Sequence, residues 1–214
     1  MSLDALVAGL SAPESAFAWS HRRPGLGGRR AGVLALFSDL AEPDLVVIER
    51  ASGLRKHAGQ MAFPGGGMDP GDADEVAAAL RETHEEIGLA PDQVRVLGQL
   101  PGANVPVSQF DVVPVVGSWS GEAPISAVDP GEVADVHRLL VSDLADPSHR
   151  VSYLHPRGLS GPAFVFGDVF IWGFTGHLVD CLLDLGGWAQ PWDASHRVPV
   201  PTRFLRDGQV PGQI

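Results

Sequence analysis

The sequence contains very little cysteine and very little lysine, and both shortages restrict what the protein does. Cys181 is the single cysteine of the 214-residue chain, so no internal disulfide can form and a reducing compartment is expected. Lys56 is the single lysine, and 15 basic residues face 26 acidic ones, which gives a formal net charge of −11. A chain of this charge repels phosphate backbones, so we expect no nucleic-acid partner.

Long apolar runs are also missing. No stretch approaches the roughly 18 consecutive apolar residues that a membrane-spanning helix requires. The N-terminus lacks the basic-then-apolar order of a secretory signal. We therefore expect no membrane partner and a cytoplasmic location.

The length and composition favour one globular domain spanning residues 1–214. We expect its core at about residues 31–185, after an N-terminal helix at Leu3–Leu10 and before an irregular extension from Pro191. The aromatic tail around Trp188 and Trp192 offers contact area for a homodimer, because two-fold dimers are the commonest soluble oligomers. The alternative is that these tryptophans cover the core of their own chain.

Hydrophobic patterning predicts a mixed sheet between helices. Helical spacing predicts helices at Asp74–Ile87 and Phe174–Leu185 and a short helical turn at Val141–Leu144, whereas Pro64–Gly67 is expected to break regular structure. Short apolar runs bounded by turn residues predict strands at Ala31–Phe37, Leu45–Glu49, Gln93–Gln99, Asp111–Ser118, Glu132–Leu139, Val151–Leu154, Ala163–Phe166 and Val169–Trp172. This order of elements indicates a layered α/β or α+β fold.

The helix at Asp74–Ile87 carries the most informative pattern. Glu82, Glu85 and Glu86 fall at i, i+3 and i+4, so three carboxylates share one helical face and repel one another. A divalent cation would reverse that repulsion, and Mg²⁺ prefers oxygen ligands. The alternative is a solvated acidic face.

The ends of this helix are also marked in the sequence. Asp72 and Glu75 have the spacing of a capping box, and Gly88 suits the C-terminal end. The preceding Gly65, Gly66 and Gly67 let the backbone approach another group closely, although an ordinary tight turn at Pro64–Gly67 is the alternative.

Together these residues resemble the box of the Nudix hydrolase family, G-x5-E-x7-R-E-U-x-E-E-x-G-U, where U is aliphatic. The matching positions are Gly67, Arg81, Glu82, Glu85, Glu86, Gly88 and Leu89. Two positions depart from the box: Ala73 replaces the isolated glutamate, with Asp72 and Asp74 on either side, and Thr83 replaces an aliphatic residue.

The segment before the box resembles one branch of the family, the coenzyme A pyrophosphatases. Leu54–Gly66 reads LRKHAGQMAFPGG, which is similar to that branch's upstream motif. The resemblance covers roughly Ala31 to Leu185, with dense matches only from Leu54 to Leu89. It implies an α/β/α sandwich with a mixed central sheet.

The resemblance also implies roles for the acidic residues. Glu82, Glu85 and Glu86 would hold Mg²⁺ or Mn²⁺, and Glu85 is at the same time a catalytic candidate. Arg81 would orient these carboxylates, because a planar guanidinium suits bidentate pairing. Glu132 resembles a glutamate beyond the box that serves some members as a ligand or base, although a solvent-exposed loop residue is the alternative.

Arg55, Lys56 and His57 form the dense basic cluster near the glycines and are assigned to substrate binding, together with Gly66 and Gly67. The alternative for the cluster is an ordinary surface loop. Coenzyme A carries a pyrophosphate and a 3′-phosphate, which suits such a cluster. The implied activity is hydrolysis of coenzyme A or a derivative to 3′,5′-ADP and 4′-phosphopantetheine. The alternatives are hydrolysis of ADP-ribose, a nucleoside triphosphate or a dinucleoside polyphosphate, or nucleotide binding without turnover.

Overall fold

The structure is a computed structural model that describes residues 2–11, 28–105 and 109–205. The helices are α1 (Asp4–Leu10), α2 (Glu75–Ile87), α3 (Val141–Ala145) and α4 (Gly173–Leu185), with 3₁₀ turns at Pro91–Gln93, Pro147–His149 and Thr202–Phe204. The strands are β1 (Arg29–Ser38), β2 (Asp44–Arg50), β3 (Met61–Ala62), β4 (Gly65–Gly67), β5 (Arg95–Gln99), β6 (Ala103–Val105), β7 (Phe110–Trp119), β8 (Val133–Leu140), β9 (Arg150–Leu154), β10 (Ser160–Phe166), β11 (Val169–Ile171) and β12 (Arg197–Pro199). Within these ranges, no helix has the length and apolar character needed to cross a bilayer.

The larger sheet is mixed and is built around β1. Its order is β3-β2-β1-β7-β5, with β4 paired to β1, β6 to β7 and β8 to β2. β1 and β7 run parallel along their whole length, while the other pairs in this sheet are antiparallel. A smaller sheet has the order β11-β10-β9-β12.

Helices cover both faces of the larger sheet because successive residues of β1 point to opposite sides. Phe37 packs in one cluster with Leu6 of α1 and Leu178 of α4. Leu36 packs in another with Ile87 of α2. The predicted α/β fold, with a mixed central sheet between helical layers, is therefore confirmed.

The prediction that Pro64–Gly67 breaks regular structure is wrong for its three glycines. They form β4 and pair antiparallel with Ala31–Val33. A side chain on Gly65 would collide with the carbonyl oxygen of Gly32, so only glycine lets this strand lie so close to β1. A run of glycines shows no hydrophobic alternation, and the strand therefore left no pattern in the sequence.

The C-terminal extension is also more regular than predicted. Arg197–Pro199 forms β12 and pairs in parallel with β9, and the following 3₁₀ turn buries Phe204. Buried Val200 and Leu205 join the same cluster, so buried apolar residues continue well beyond residue 185. Residues 206–214 of the predicted extension lie outside the described residues.

The tryptophans near this extension contact their own chain. Trp188 is buried and packs against Phe37, with ring centroids 5.8 Å apart. The Trp192 ring lies 4.6 Å from the guanidinium carbon of Arg150. Trp188 therefore supplies no surface for a homodimer, and the alternative interpretation is correct for it.

Candidate active site

The carboxylate helix α2 is capped at both ends by its own sequence. The Asp74 side chain accepts a hydrogen bond from the backbone N–H of Ala77 at 2.9 Å and is the N-cap. Gly88 ends the helix in the left-handed conformation (φ 78°), as its position predicted. The prediction that Asp72 caps the helix is wrong, because the chain turns into the helix two residues later.

β4 holds the glycines against the carboxylates of α2. The Gly65 N–H donates to Glu86 Oε2 at 2.9 Å. A Cβ on Gly66 would come within 2.5 Å of the Glu82 carboxylate. The close approach predicted for this glycine run therefore occurs, and its neighbours are the two glutamates themselves.

The three box glutamates lie in different environments. Glu86 is 5% exposed, Glu82 is half-buried and Glu85 is exposed. Burial raises the pKa of Glu82, and the negative charges of Glu85 and Glu132 add to that effect. Ion pairing with Arg81 opposes it.

Glu86 carries the most perturbed carboxyl of the group. Burial is the largest cause and, together with repulsion from Glu82 and Glu132, raises its pKa to about 7. The Gly65 N–H and the positive charge of Arg50 act in the opposite direction without cancelling the rise. Perturbed carboxyls of this kind cluster at functional sites.

Arg81 joins the helix, the glycine strand and the loop between them. Its Nη1 donates to Glu82 Oε1 at 3.0 Å and to Glu85 Oε2 at 2.9 Å. Its Nη2 donates to the Gly67 carbonyl oxygen at 3.1 Å and to Asp72 Oδ2 at 3.0 Å, and Nε lies 3.2 Å from Asp72 Oδ1. Arg81 is thus bound to two of the three box glutamates.

Asp72 belongs to the site, although the sequence predicted that it caps the helix. Its side chain is 7% exposed and forms an ion pair with Arg81, which holds the pKa of Asp72 below its usual range. Ala73, at the position where the family box has a glutamate, is exposed. Asp72 therefore places a carboxylate beside Arg81 from one residue earlier in the chain.

The second departure from the box is accommodated locally. Thr83 is fully buried, and its hydroxyl donates to the Ala79 carbonyl oxygen at 2.7 Å. This hydrogen bond satisfies the polar atom one helical turn back, so threonine fills an apolar position without an unpaired hydroxyl.

Two residues from outside the helix reach the carboxylates. Glu132 lies close enough for its charge to raise the pKa values of Glu82 and Glu86. The positive charge of Arg50 lowers the pKa of Glu86, and the buried Arg50 Nε has no hydrogen-bond partner in the described part of the chain. The sequence signal for Arg50 was its position next to the basic cluster.

The three basic residues predicted to bind substrate lie on the loop between β2 and β3, whereas the predicted Gly66 and Gly67 lie on β4. Arg55 and Lys56 are exposed at its tip. His57 has a left-handed backbone (φ 57°), and its Nδ1 lies 3.2 Å from Gln60 Oε1. The Ala51 N–H at the base of the loop donates to the Glu132 carbonyl oxygen at 2.9 Å. The loop therefore starts beside the carboxylates.

The carboxylates have the chemistry that a magnesium or manganese ion requires. Glu82 and Glu86 supply oxygen ligands, and each has a raised pKa because burial and like charges disfavour its ionised form. Across residues 2–11, 28–105 and 109–205, no group of three or more acidic, histidine or cysteine side chains is arranged around one metal position. Mg²⁺ usually needs one or two carboxylates, and waters and substrate phosphates complete its shell. Glu82 and Glu86 fit that role.

Comparison with known proteins identifies the family. The model of the NUDIX domain matches residues 28–155, which contain the glycine strand, α2 and Glu132. The chain therefore belongs to the Nudix family, whose members hydrolyse pyrophosphate substrates and generally use divalent metal ions.

The chain is similar to curated proteins called "Uncharacterized Nudix hydrolase NudL". The protein from Cronobacter sakazakii is 39% identical over 160 residues, which cover 73% of this chain and 82% of the relative. The protein from Escherichia coli is 38% identical over 164 residues, with 73% and 82% covered.

Solved structures with partial similarity are also Nudix proteins. A Caenorhabditis elegans Ap4A hydrolase binary complex is 19% identical, covers 54% of this chain and 82% of its own, and has a TM-score of 0.44. The NUDIX domain of Shewanella oneidensis NrtR, solved with ADP ribose, is 17% identical, covers 66% and 85%, and has a TM-score of 0.43.

Proposed function

We propose that this Nudix hydrolase cleaves the pyrophosphate of coenzyme A or a close derivative, with Mg²⁺ or Mn²⁺, to 3′,5′-ADP and 4′-phosphopantetheine. The observation that carries the proposal is the position of Arg55 and Lys56, exposed on a loop whose base is bonded to the backbone of Glu132. These two cations suit a substrate with a phosphate remote from the scissile bond, as the 3′-phosphate of coenzyme A is. The upstream motif Leu54–Gly66 supports the same substrate.

Glu82, Glu85 and Glu86 would hold the metal. A bound metal of this kind polarises the pyrophosphate, lowers the pKa of a bound water and neutralises charge on the leaving phosphate. Arg81 keeps Glu82 and Glu85 oriented through its two Nη1 hydrogen bonds. Gly66 and Gly67 leave room for the substrate's phosphates beside these carboxylates.

A glutamate is expected to accept the proton of the attacking water. Glu132 and Glu85 are the candidates, and we favour Glu132. Its carboxylate acts on the pKa values of Glu82 and Glu86, while Glu85 Oε2 accepts a hydrogen bond from Arg81. No covalent intermediate is needed.

The substrate is tested by comparing coenzyme A, dephospho-coenzyme A, ADP-ribose and dATP, each with Mg²⁺ and Mn²⁺. Coenzyme A should have the highest kcat/KM. Arg55→Ala should lower that value by about 10- to 150-fold, because a hydrogen bond between charged groups contributes about 1.5–3 kcal/mol. Hydrolysis of dephospho-coenzyme A should change far less if the lost contact is to the 3′-phosphate.

Arg197→Ala is a matched control, because Arg197 is an exposed arginine on the smaller sheet. Arg197→Ala should leave kcat/KM unchanged for every substrate. A higher kcat/KM for ADP-ribose or dATP than for coenzyme A would contradict the proposed substrate. Equal losses with both forms of coenzyme A would instead place Arg55 at the pyrophosphate.

We also propose that the protein acts in the cytoplasm on this small nucleotide substrate, and that it forms a homodimer. Cys181 is a buried free thiol, which agrees with a reducing compartment. Light scattering at micromolar concentration should give about twice the 22.6 kDa chain mass.

A further inference from the structure

The basic loop is fixed at its base next to the carboxylates. The Arg50 N–H donates to the Gln60 carbonyl oxygen at 3.1 Å, and the Gly59 N–H donates to the Arg50 carbonyl oxygen at 2.9 Å. The Ala51 N–H is bound to Glu132. The two ends of the loop are therefore held together at the strand residue that faces the acidic cluster.

Two hydrogen-bonded turns shape the rest of the loop. The Leu54 N–H donates to the Ala51 carbonyl oxygen at 3.2 Å, and the Gln60 N–H donates to the His57 carbonyl oxygen at 3.1 Å. Residues 55 and 56, the two exposed cations, are the ones that lie between these turns. Their backbone positions depend on how well both turns are held.

The C-terminal part of the chain holds the second turn. The Gln60 side chain bridges two partners: its Oε1 lies 3.2 Å from His57 Nδ1, and its Nε2 donates to the Phe204 carbonyl oxygen at 3.2 Å. His57 adopts its left-handed backbone inside this turn. Such a conformation is uncommon for a non-glycine residue, and surrounding contacts have to maintain it.

The acceptor of this hydrogen bond is itself firmly placed. Phe204 is 3% exposed and stacks on Phe170 with ring centroids 6.3 Å apart. Its N–H donates to the Pro201 carbonyl oxygen at 2.9 Å within the 3₁₀ turn Thr202–Phe204. This turn follows β12, which is paired to the smaller sheet. The Gln60 side chain thus connects the basic loop to the turn that follows the smaller sheet.

We propose that the turn Thr202–Phe204 is a positioning element of the substrate site, acting through Gln60 on the loop that presents Arg55 and Lys56. This inference rests on the proposed role of that loop in binding the substrate. Gln60 and Phe204 contact no substrate in this scheme. They keep the loop in one conformation, so that binding does not have to order it first.

Gln60→Leu removes both side-chain hydrogen bonds at similar volume and tests the proposal. Loss of this bridge should lower the fraction of molecules in which the loop is correctly placed. We therefore expect KM to rise about 3- to 10-fold, while kcat stays within about two-fold of the wild-type value. Gln60→Glu keeps the acceptor for His57 and loses the donor to Phe204, so it should act in the same direction if Gln60→Leu folds poorly.

Gln93→Leu is the matched control. Gln93 also bonds a backbone group through its side chain, with Oε1 accepting from the Ala90 N–H at 3.1 Å, but it lies in the 3₁₀ turn Pro91–Gln93 and not on the basic loop. It should leave KM unchanged. Kinetics are measured with whichever nucleotide the wild-type protein hydrolyses best, so failure of the coenzyme A proposal appears in the wild-type panel and does not obscure this comparison.

Hydrogen exchange provides a readout that does not depend on the substrate. Gln60→Leu should speed amide exchange at residues 54–60 by about 3- to 10-fold while α2 stays unchanged. Unchanged exchange in the loop would overturn the proposal, and so would faster exchange with an unaltered KM. A lowered melting temperature with normal KM and normal loop exchange would assign Gln60 a purely structural role and would also overturn it.

Discussion

Replacing Glu86 with glutamine should stabilise the metal-free protein and abolish its metal-dependent activity. Glu86 is almost fully buried, and its hydrogen bond from the Gly65 N–H does not compensate for burial and for the negative charges nearby. Glutamine has the same length, keeps an oxygen for that N–H and carries no charge. The substitution therefore removes the unfavourable charge without opening a cavity.

The magnitude follows from the pKa of Glu86, which rises from 4.5 to about 7 in the folded protein. Each pKa unit corresponds to 1.36 kcal/mol, so ionising Glu86 at pH 8 destabilises the folded state by about 3 kcal/mol. Burying the new amide group costs about 1–3 kcal/mol if its N–H groups lack partners. The expected net gain is about 1 kcal/mol, or about 2–4 °C in melting temperature for a chain of this size.

The pH dependence of the wild-type protein should have a definite sign. Glu86 binds its proton more tightly in the folded than in the unfolded state, so the folded protein holds the extra proton between pH 4.5 and about 7. The stability contributed by Glu86 is therefore lost as pH rises through this window. Glu86→Gln should remove this pH-dependent loss of stability, because glutamine does not ionise.

The assay is thermal unfolding with EDTA at pH 5 and pH 8, followed by a series with added Mg²⁺. Glu86→Gln should melt above the wild-type protein in EDTA at pH 8. At pH 5 this advantage should vanish or change sign, because ionising Glu86 then costs only about 1 kcal/mol while the cost of burying the amide remains. Metal should reverse the order, because a ligand at 100 times its Kd stabilises the wild-type protein by about 2.7 kcal/mol. The kcat of Glu86→Gln should fall at least about 100-fold.

Glu85→Gln is the control, because its side chain is exposed and the loss of its charge should change stability in EDTA very little. If Glu86→Gln melts at or below the wild-type temperature in EDTA at pH 8, ionised Glu86 does not destabilise the folded protein. A near-normal kcat at saturating metal would refute the assignment of Glu86 as a metal ligand.

Two further substitutions test how the glycine strand and its loop support the site. Asp72→Ala should lower kcat on the order of 10-fold, because it releases the arginine that orients the box glutamates. Adding Ala73→Glu should restore much of the lost kcat. If the double variant shows no recovery, this role for Asp72 is wrong. Gly66→Ala should reduce kcat at least about 10-fold, because the new methyl group displaces the Glu82 carboxylate. Gly71→Ala is the control: its methyl group meets no atom within 4 Å, so kcat should not change.

The box helix was predictable because its signals are local. Its 3.6-residue period, the glutamate spacing and the terminal Gly88 lie within one segment, and the helix ends where that glycine predicted. The position of the N-cap was not predictable, since Asp72 and Asp74 are both suitable residues. Arg81 resolves the choice by binding Asp72 from nine positions further along the chain.

Features that depend on distant partners had no comparable signal. β4 exists because β1 lies beside three glycines, and β12 exists because β9 offers it an edge. The link from Gln60 to Phe204 joins residues 144 positions apart. In the sequence, His57 and Gln60 belong to a motif suited to substrate binding, and only the fold shows that they are bonded to each other and, through Gln60, to the C-terminal turn.

The parallel pairing of β1 with β7 has a consequence for how the protein is made. Their partners, Arg29 with Phe110 through Ser38 with Trp119, are about 80 positions apart, and closing such a loop costs about 4 kcal/mol of chain entropy. At about 5–20 residues per second, a ribosome needs roughly 4–16 seconds to deliver β7 after β1. During that interval β1 has one open edge, and the helix bearing the glutamates is synthesised before β7 can close it. The nascent chain therefore exposes one unpaired edge of an apolar strand, and this is the stage at which a chaperone would protect it.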